Sequence, residues 1–255
     1  MKKERILGVE VSDLGYKDLE RYIISDIENS KKSFIVAINP EKVMKARKDK
    51  NLAKALHRAD YPIADGIGII IASKLKKGNI KNRVTGIDCM DMIFSLSNER
   101  GYKIFLYGAR KEVLAKAKEK ILNKYPNLKI VGTIDGYEQD NEKIVSKVNS
   151  SGADILFVAL GSPKQENWIS SNKKRLCAKV YMGVGGSLDV FSGAVKRAPD
   201  FMQKFGFEWL FRLINEPKRL FRQVKLLKFM ALVVFCKTER KEKNIEKEDI
   251  VICRS

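Results

Sequence analysis

The chain has 255 residues, 44% of them apolar, enough for one sizeable core plus an appendage. Its 50 Lys+Arg against 31 Asp+Glu give a net charge of +19, an excess that attracts polyanions, either nucleic acid or an anionic membrane surface. Four cysteines without CxxC spacing (Cys89, Cys177, Cys236, Cys253) and one histidine, His57, in a helical run, argue against a disulfide frame, a zinc site and a Ser-His-Asp triad.

The N-terminus, MKKERILGVEV, is too soon polar for a signal peptide, and the apolar run LLKFMALVVFC falls well short of the roughly 20 residues a spanning helix needs. A cytoplasmic protein is expected. In chain order, short β-branched or aromatic runs predict strands over 34–38, 61–64, 103–108, 129–132, 154–161 and 179–186. Helical patterns fill 41–60, 66–77, 111–125, 141–151 and 163–176, and a further helix starts near Thr85. Near-continuous apolar strands alternating with helices predict an α/β fold, a Rossmann-like, mostly parallel sheet with helices on both faces. This core is expected over 1–198.

A parallel sheet puts every strand's carboxyl end on one edge, where ligands bind. The residues just past the strands are small and polar: Asn39, Asp65-Gly66, Gly108-Ala109-Arg110, Gly136-Tyr137, Gly161-Ser162-Pro163 and Gly185-Gly186. In GSPKQENW, Ser162 is placed to cap a helix beginning at Pro163, with Glu166 nearby in capping-box fashion and Gln165 and Lys164 on its first turn facing the crevice. GVGGSLD has the close glycines of a nucleotide loop, with Asp189 either holding a ribose hydroxyl or serving as a turn carboxylate. It does not match G-x-G-x-x-G, and no G-x-x-x-x-G-K-[ST] is present, so a nicotinamide-dependent oxidoreductase is weakly supported and a P-loop absent. Asp65 has Asn39, Arg83 and Gln165 for company and no second acid beside it, an arrangement suited to a lone general base rather than a divalent metal.

From about Pro199 the sequence turns helical, aromatic and basic. Lys218, Arg222 and Lys225 fall on one helical face and Leu220, Val224, Leu227, Ala231 and Val234 on the opposite one. That pattern fits a membrane-associating appendage over 199–237, or a helix whose apolar face packs on the core. The charged end, 238–255, is expected to be disordered.

GVGGSLDVFSGAVKRAP followed by FEWLFRLINEPKRLFR closely resembles the signature of the WecG/TagA/CpsF glycosyltransferases, as do VALGSPKQENWI, ADGIG, RVTGID and INPEKV. The resemblance spans roughly 6–235. It implies an inverting transferase that moves N-acetylmannosamine from a UDP-sugar to polyprenyl-diphosphate-linked GlcNAc at the cytoplasmic membrane face, as in teichoic acid linkage-unit synthesis. It further implies Asp65 as base, with Asn39, Arg83 and Gln165 around the reacting centre. Tyr137 and the Gly185-Gly186 loop with Asp189 would lie at the nucleotide, and Arg212, Arg219 and Arg222 would meet diphosphate from the appendage. No cofactor or metal is implied. Ala37 departs from the family at a position usually bearing a hydroxyl, as do Leu188 and Glu138 where aromatics are common. The first departure leaves open a different UDP-hexose or uronic acid donor for exopolysaccharide synthesis. Expected partners are the donor, the lipid-linked acceptor and an anionic membrane, with a homo-oligomer off the membrane. The rival from another class, a basic nucleic-acid-binding module, lacks an RNP-like aromatic pattern or zinc finger.

Overall fold

The computed structural model describes residues 1–199, 202, 211 and 220–235, the side chains of 220–224 excepted. The elements are β1 (Lys3–Ile6), β2 (Val9–Ser12), α1 (Tyr16–Glu28), β3 (Ser33–Ile38), α2 (Pro40–Ala46), α3 (Lys50–His57), β4 (Tyr61–Ala64), α4 (Ile67–Leu75) and α5 (Gly86–Arg100). There follow β5 (Lys103–Gly108), α6 (Lys111–Lys124), β6 (Lys129–Ile134), α7 (Asn141–Ser150), β7 (Ile155–Ala159), α8 (Lys164–Asn172), β8 (Val180–Gly183), α9 (Ser187–Phe191) and α10 (Leu220–Phe235).

One eight-stranded sheet runs β1-β2-β4-β3-β8-β7-β5-β6, antiparallel between β1 and β2 and parallel elsewhere. The period-two alternation explains how short strands bury both faces. Phe34, Val36 and Ile38 join Phe105, Tyr107, Leu156 and Val158 in a layer covered by α2, α3, α4, α7, α8 and α10. Ile35 and Ala37 point the other way with Ile104, Leu106, Ile155 and Phe157, under α1, α5, α6 and α9. The α/β reading therefore holds, and all six expected strands are present.

Four local features differ from the sequence reading. The N-terminal hairpin β1–β2 turns through Leu7 and Gly8, both at positive φ (47° and 88°), as a two-residue hairpin connection requires. Its strands are too charged to announce themselves, and α1 is likewise unannounced. The single helix expected over 41–60 is two, because the Asp49 carboxylate accepts from Asn51 N and Leu52 N and starts α3 afresh. Ser162 caps nothing: α8 begins at Lys164 with Pro163 at its N-cap, and the Ser162–Pro163 bond is cis.

The C-terminal helix α10 lies across α2 and α4. It docks through Phe229 (fully buried) and Val233, with Leu226, Met230 and Leu232 half-buried beside them. The apolar face expected from the projection is the other one, and Leu227, Ala231 and Val234 are exposed on it, as is Lys225. Both sides of the helix are apolar, so it packs on the core without spending that face. Arg212, Arg219 and the tail 238–255 lie outside the described residues, as does the side chain of Arg222. Among the described residues no helix is long and apolar enough to cross a membrane.

Candidate active site

Four consecutive strands, β4-β3-β8-β7, carry the site at their carboxyl ends. With neighbouring strands about 4.8 Å apart, β4 to β8 spans about 10 Å. Asp65 comes directly after β4, and its N–H donates to Ile38 O at 2.8 Å, which seats it beside Asn39 at the end of β3. Asn39 is the N-cap of α2: its Oδ1 accepts from Lys42 N at 2.9 Å. Gly66 then turns the chain at φ 86° into α4, whose N-terminus has no side-chain cap. The combination explains the ADG segment. A glycine is needed for the turn, and the helix starts at once with Asp65 just outside it.

Arg83 reaches the same place from a different direction. Val84 N donates to Ala64 O at 2.9 Å, so Arg83 and Asp65 sit on either side of one backbone hydrogen bond. Arg83 is half-buried and forms no ion pair within 4 Å among the described residues. A half-buried cation with no carboxylate partner among the described residues is available to an anion. The next turn is fixed by Thr85, which caps α5 and donates to Asp88 Oδ2 at 2.6 Å. Asp88 in turn binds Arg197, whose guanidinium comes from the KRAP segment, and Tyr16 donates to Asp88 Oδ2 at 3.5 Å while accepting from Thr85 N at 3.1 Å. Burial, with Asp88 adding to it, pushes the Tyr16 hydroxyl up to about 12, so it stays a neutral donor. Cys89 is buried, and its thiol is driven upward by that burial first and then by the Asp88 and Asp65 carboxylates.

Gln165 does not face open solvent in the crevice; it is 3% exposed and bridges two loops. Its Oε1 accepts from Gly185 N at 2.9 Å, and its Nε2 donates to Glu166 Oε1 at 2.9 Å. That same oxygen is held by Lys42 Nζ at 2.7 Å, with both side chains almost wholly buried. Burial alone would raise the Glu166 pKa, but the Lys42 charge and the hydrogen bonds outweigh it and hold the carboxyl below its usual range. The chain Asn39–Lys42–Glu166–Gln165–Gly185 thus ties the loops after β3, β7 and β8 into one frame. Gly183 is required beneath it, since a Cβ there would lie 2.7 Å from Gln165 Nε2. Lys164 is exposed.

Gly185 turns at φ 51°, and Asp189 sits in the first turn of the five-residue α9, where a Cβ on Gly186 would lie 3.4 Å from its Oδ2. Tyr137 is apart from this group. It lies beyond the end of β6, four strand spacings or about 19 Å from β3, and is 70% exposed, its N–H held by Asp135 Oδ1 at 2.9 Å. Ala37 is buried and faces α5, 3.3 Å from where a Cβ on Gly86 would stand. A hydroxyl there would therefore point at the helix start beside Asp65. Lys42, Asp88 and Arg197 are not singled out by the sequence, and Glu166 is read there only as a capping-box partner of Ser162, whereas it pairs with Lys42 and Gln165. All four lie within the family-like motifs, but no pattern along the chain says that a lysine three residues past Asn39 is buried. Among the described residues, no three His, Cys, Asp or Glu side chains converge as a cation cage.

The family model for the glycosyl transferase WecG/TagA/CpsF family matches residues 4–243. The chain is 37% identical over 210 residues, 82% of its own length and 80% of the relative's, to the N-acetylglucosaminyldiphosphoundecaprenol N-acetyl-beta-D-mannosaminyltransferase of Bacillus subtilis (strain 168). It is 36% identical over 208 residues, 82% and 81% of the two chains, to the protein of the same name from Bacillus spizizenii.

Proposed function

The chain belongs to the WecG/TagA/CpsF family of glycosyltransferases, and from that premise we propose that it transfers N-acetylmannosamine from its UDP-sugar to GlcNAc on undecaprenyl diphosphate, with inversion. The observation that carries this reading is the meeting of Asp65, Asn39, Gly185 and Gln165 on consecutive strand ends, in a chain so close to the named mannosaminyltransferases.

In the proposed reaction Asp65 takes the proton from the acceptor hydroxyl as its oxygen attacks the donor's anomeric carbon from behind. One base is sufficient for a single displacement, by the logic of inverting glycoside hydrolysis. The UDP that leaves develops negative charge. Arg83, half-buried and free of an ion pair among the described residues, is assigned to that charge, and the first-turn N–H groups of α4, which has no side-chain cap, are assigned as further donors. The Gly185–Gly186 turn with Asp189 is assigned to the nucleotide, and Gln165 holds that turn in place. Arg212, Arg219 and Arg222 are assigned to the diphosphate, and Tyr137 to the outer end of the nucleotide. The core 1–198 is assigned the chemistry. The appendage 199–237, followed by a charged tail 238–255, is assigned contact with the inner face of the membrane, where a lipid-linked acceptor resides.

The test is transfer of radiolabel to a short-chain prenyl-diphosphoryl-GlcNAc, with UDP-ManNAc compared against UDP-GlcNAc and a UDP-uronic acid. Label from UDP-ManNAc alone, in a β-linked product, is the expected result. Label from another donor only would reassign the sugar, and Ala37 would be the first residue to examine.

A further inference from the structure

We propose that the valley between α4 and α10 receives the apolar chain of the acceptor, beginning with the isoprene units nearest the diphosphate. The inference rests on the lipid-linked acceptor proposed above and names the surface that would bind its tail. On α4, Ile67, Ile71 and Leu75 are 37%, 41% and 53% exposed, a stripe at i, i+4 and i+8. The stripe starts two residues past Asp65 and runs about 12 Å away from it at 1.5 Å per residue.

The neighbouring α10 supplies the other wall. A Cβ on Gly68 would lie 3.3 Å from Leu226 Cδ1, so these two positions mark the sides of the helices that face each other. Stepping outward by 100° per residue from Gly68 leads to Leu75 and Ile71, and from Leu226 to Met230, then Val234 and Leu227. Met230 is half-buried and forms the floor with Leu226, while Leu227 and Val234 are 72% and 60% exposed. Two apolar walls over an apolar floor lead away from the proposed base.

Charge selects the occupant. Neither helix carries an Asp or Glu, and Lys74, Lys225 and Lys228 are exposed along them. Lys74 borders the trough on the Ile67 side, whereas Lys225 and Lys228 lie on the far side of α10. A trough that starts two residues from the proposed base, with no acid on either helix and a cation at its rim, matches an anionic amphiphile, a diphosphate joined to a hydrocarbon chain. After Phe235 the sequence continues CKTERKEKNIEKED, polar and of mixed sign, before the four-residue apolar run Ile250–Cys253, too short to fill both walls.

The experiment compares kcat/KM for two water-soluble acceptors with the same GlcNAc-diphosphate, one ending in a methyl group and one in three isoprene units, without vesicles or detergent. The wild type should prefer the prenyl acceptor by about tenfold or more, and Ile71→Ser/Leu75→Ser should lose most of that ratio. Leu227→Ser/Val234→Ser, on the opposite wall, should do the same, and serves if the first variant melts early. An unchanged ratio in the folded variants overturns the proposal. So does an effect seen only with acceptor in vesicles, which would make the surface a bilayer contact. A dimer dissolved by the substitutions at constant ratio would overturn it in favour of self-association. Turnover of neither acceptor by the wild type would overturn the reaction itself, whereas equal turnover of both would overturn the trough alone.

Discussion

Replacing Lys42 by Met should destabilise the protein in a pH-dependent way. Lys42 and Glu166 are 7% and 0% exposed at the side chain and 2.7 Å apart, and Glu166 Oε2 is already buried without a hydrogen bond. Removing the ammonium leaves a buried carboxylate with one donor, Gln165 Nε2. Breaking a buried pair from one side costs about 3–5 kcal/mol. At roughly 2–4 °C per kcal/mol for a chain of this size, the melting temperature should fall by about 10 °C at pH 8. The sign with pH comes from the shift. In the wild type the folded pKa of Glu166 lies below its usual value, so its contribution is full above the ordinary carboxylate range and is lost as pH falls through the folded pKa. In Lys42→Met burial dominates and the folded pKa rises. The deficit is then largest at pH 8 and shrinks toward pH 5 as Glu166 takes up a proton. Thermal melts at both pH values, with Lys42→Met/Glu166→Gln beside the single variant, provide the assay. The double variant should recover more than half of the loss. A deficit below about 1 kcal/mol, the scale of a surface pair, would refute the reasoning, as would one equal at both pH values and untouched by the second substitution.

Gly183→Ala should displace the Gln165 carboxamide, since the new Cβ would lie 2.7 Å from its Nε2. The expected result is a loss of about 1–3 kcal/mol in stability and at least a tenfold fall in transfer rate; a wild-type rate would mean that the Gln165–Gly185 link is not needed. Phe229→Ala should remove about 3–5 kcal/mol of docking energy from α10. Hydrogen exchange should then show α10 amides unprotected while those of β3 and β7 stay protected, and protection retained in α10 would place its anchor elsewhere.

The central sheet is legible in the sequence because β3, β4, β5, β7 and β8 are unbroken apolar runs, as strands covered on both faces must be. KERI and VEVS are not, because the first has three charges in a row and the second alternates over only four positions. The site is half legible. The positions just past the strand ends include Asn39, Asp65 and Gly185, and parallel topology alone brings them to one edge. Gln165 is legible too, but only as a group facing the crevice, whereas its carboxamide is consumed by Gly185 and Glu166. The Lys42–Glu166 pair is invisible, since a lysine in PEKVMKAR looks like any helical surface cation until α8 is laid over it. Likewise the projection of α10 finds a true apolar stripe but cannot tell it from the second one, which packs through Phe229 and Val233.

The central proposal, Asp65 as base, is tested most directly by Asp65→Asn, with transfer rate and donor affinity measured side by side. The account predicts a rate lower by about 10²–10⁴-fold with the UDP-sugar dissociation constant within a few-fold of wild type. A variant that turns over at the wild-type rate would contradict it, and the carboxylate between β4 and α4 would then serve the turn and not the reaction.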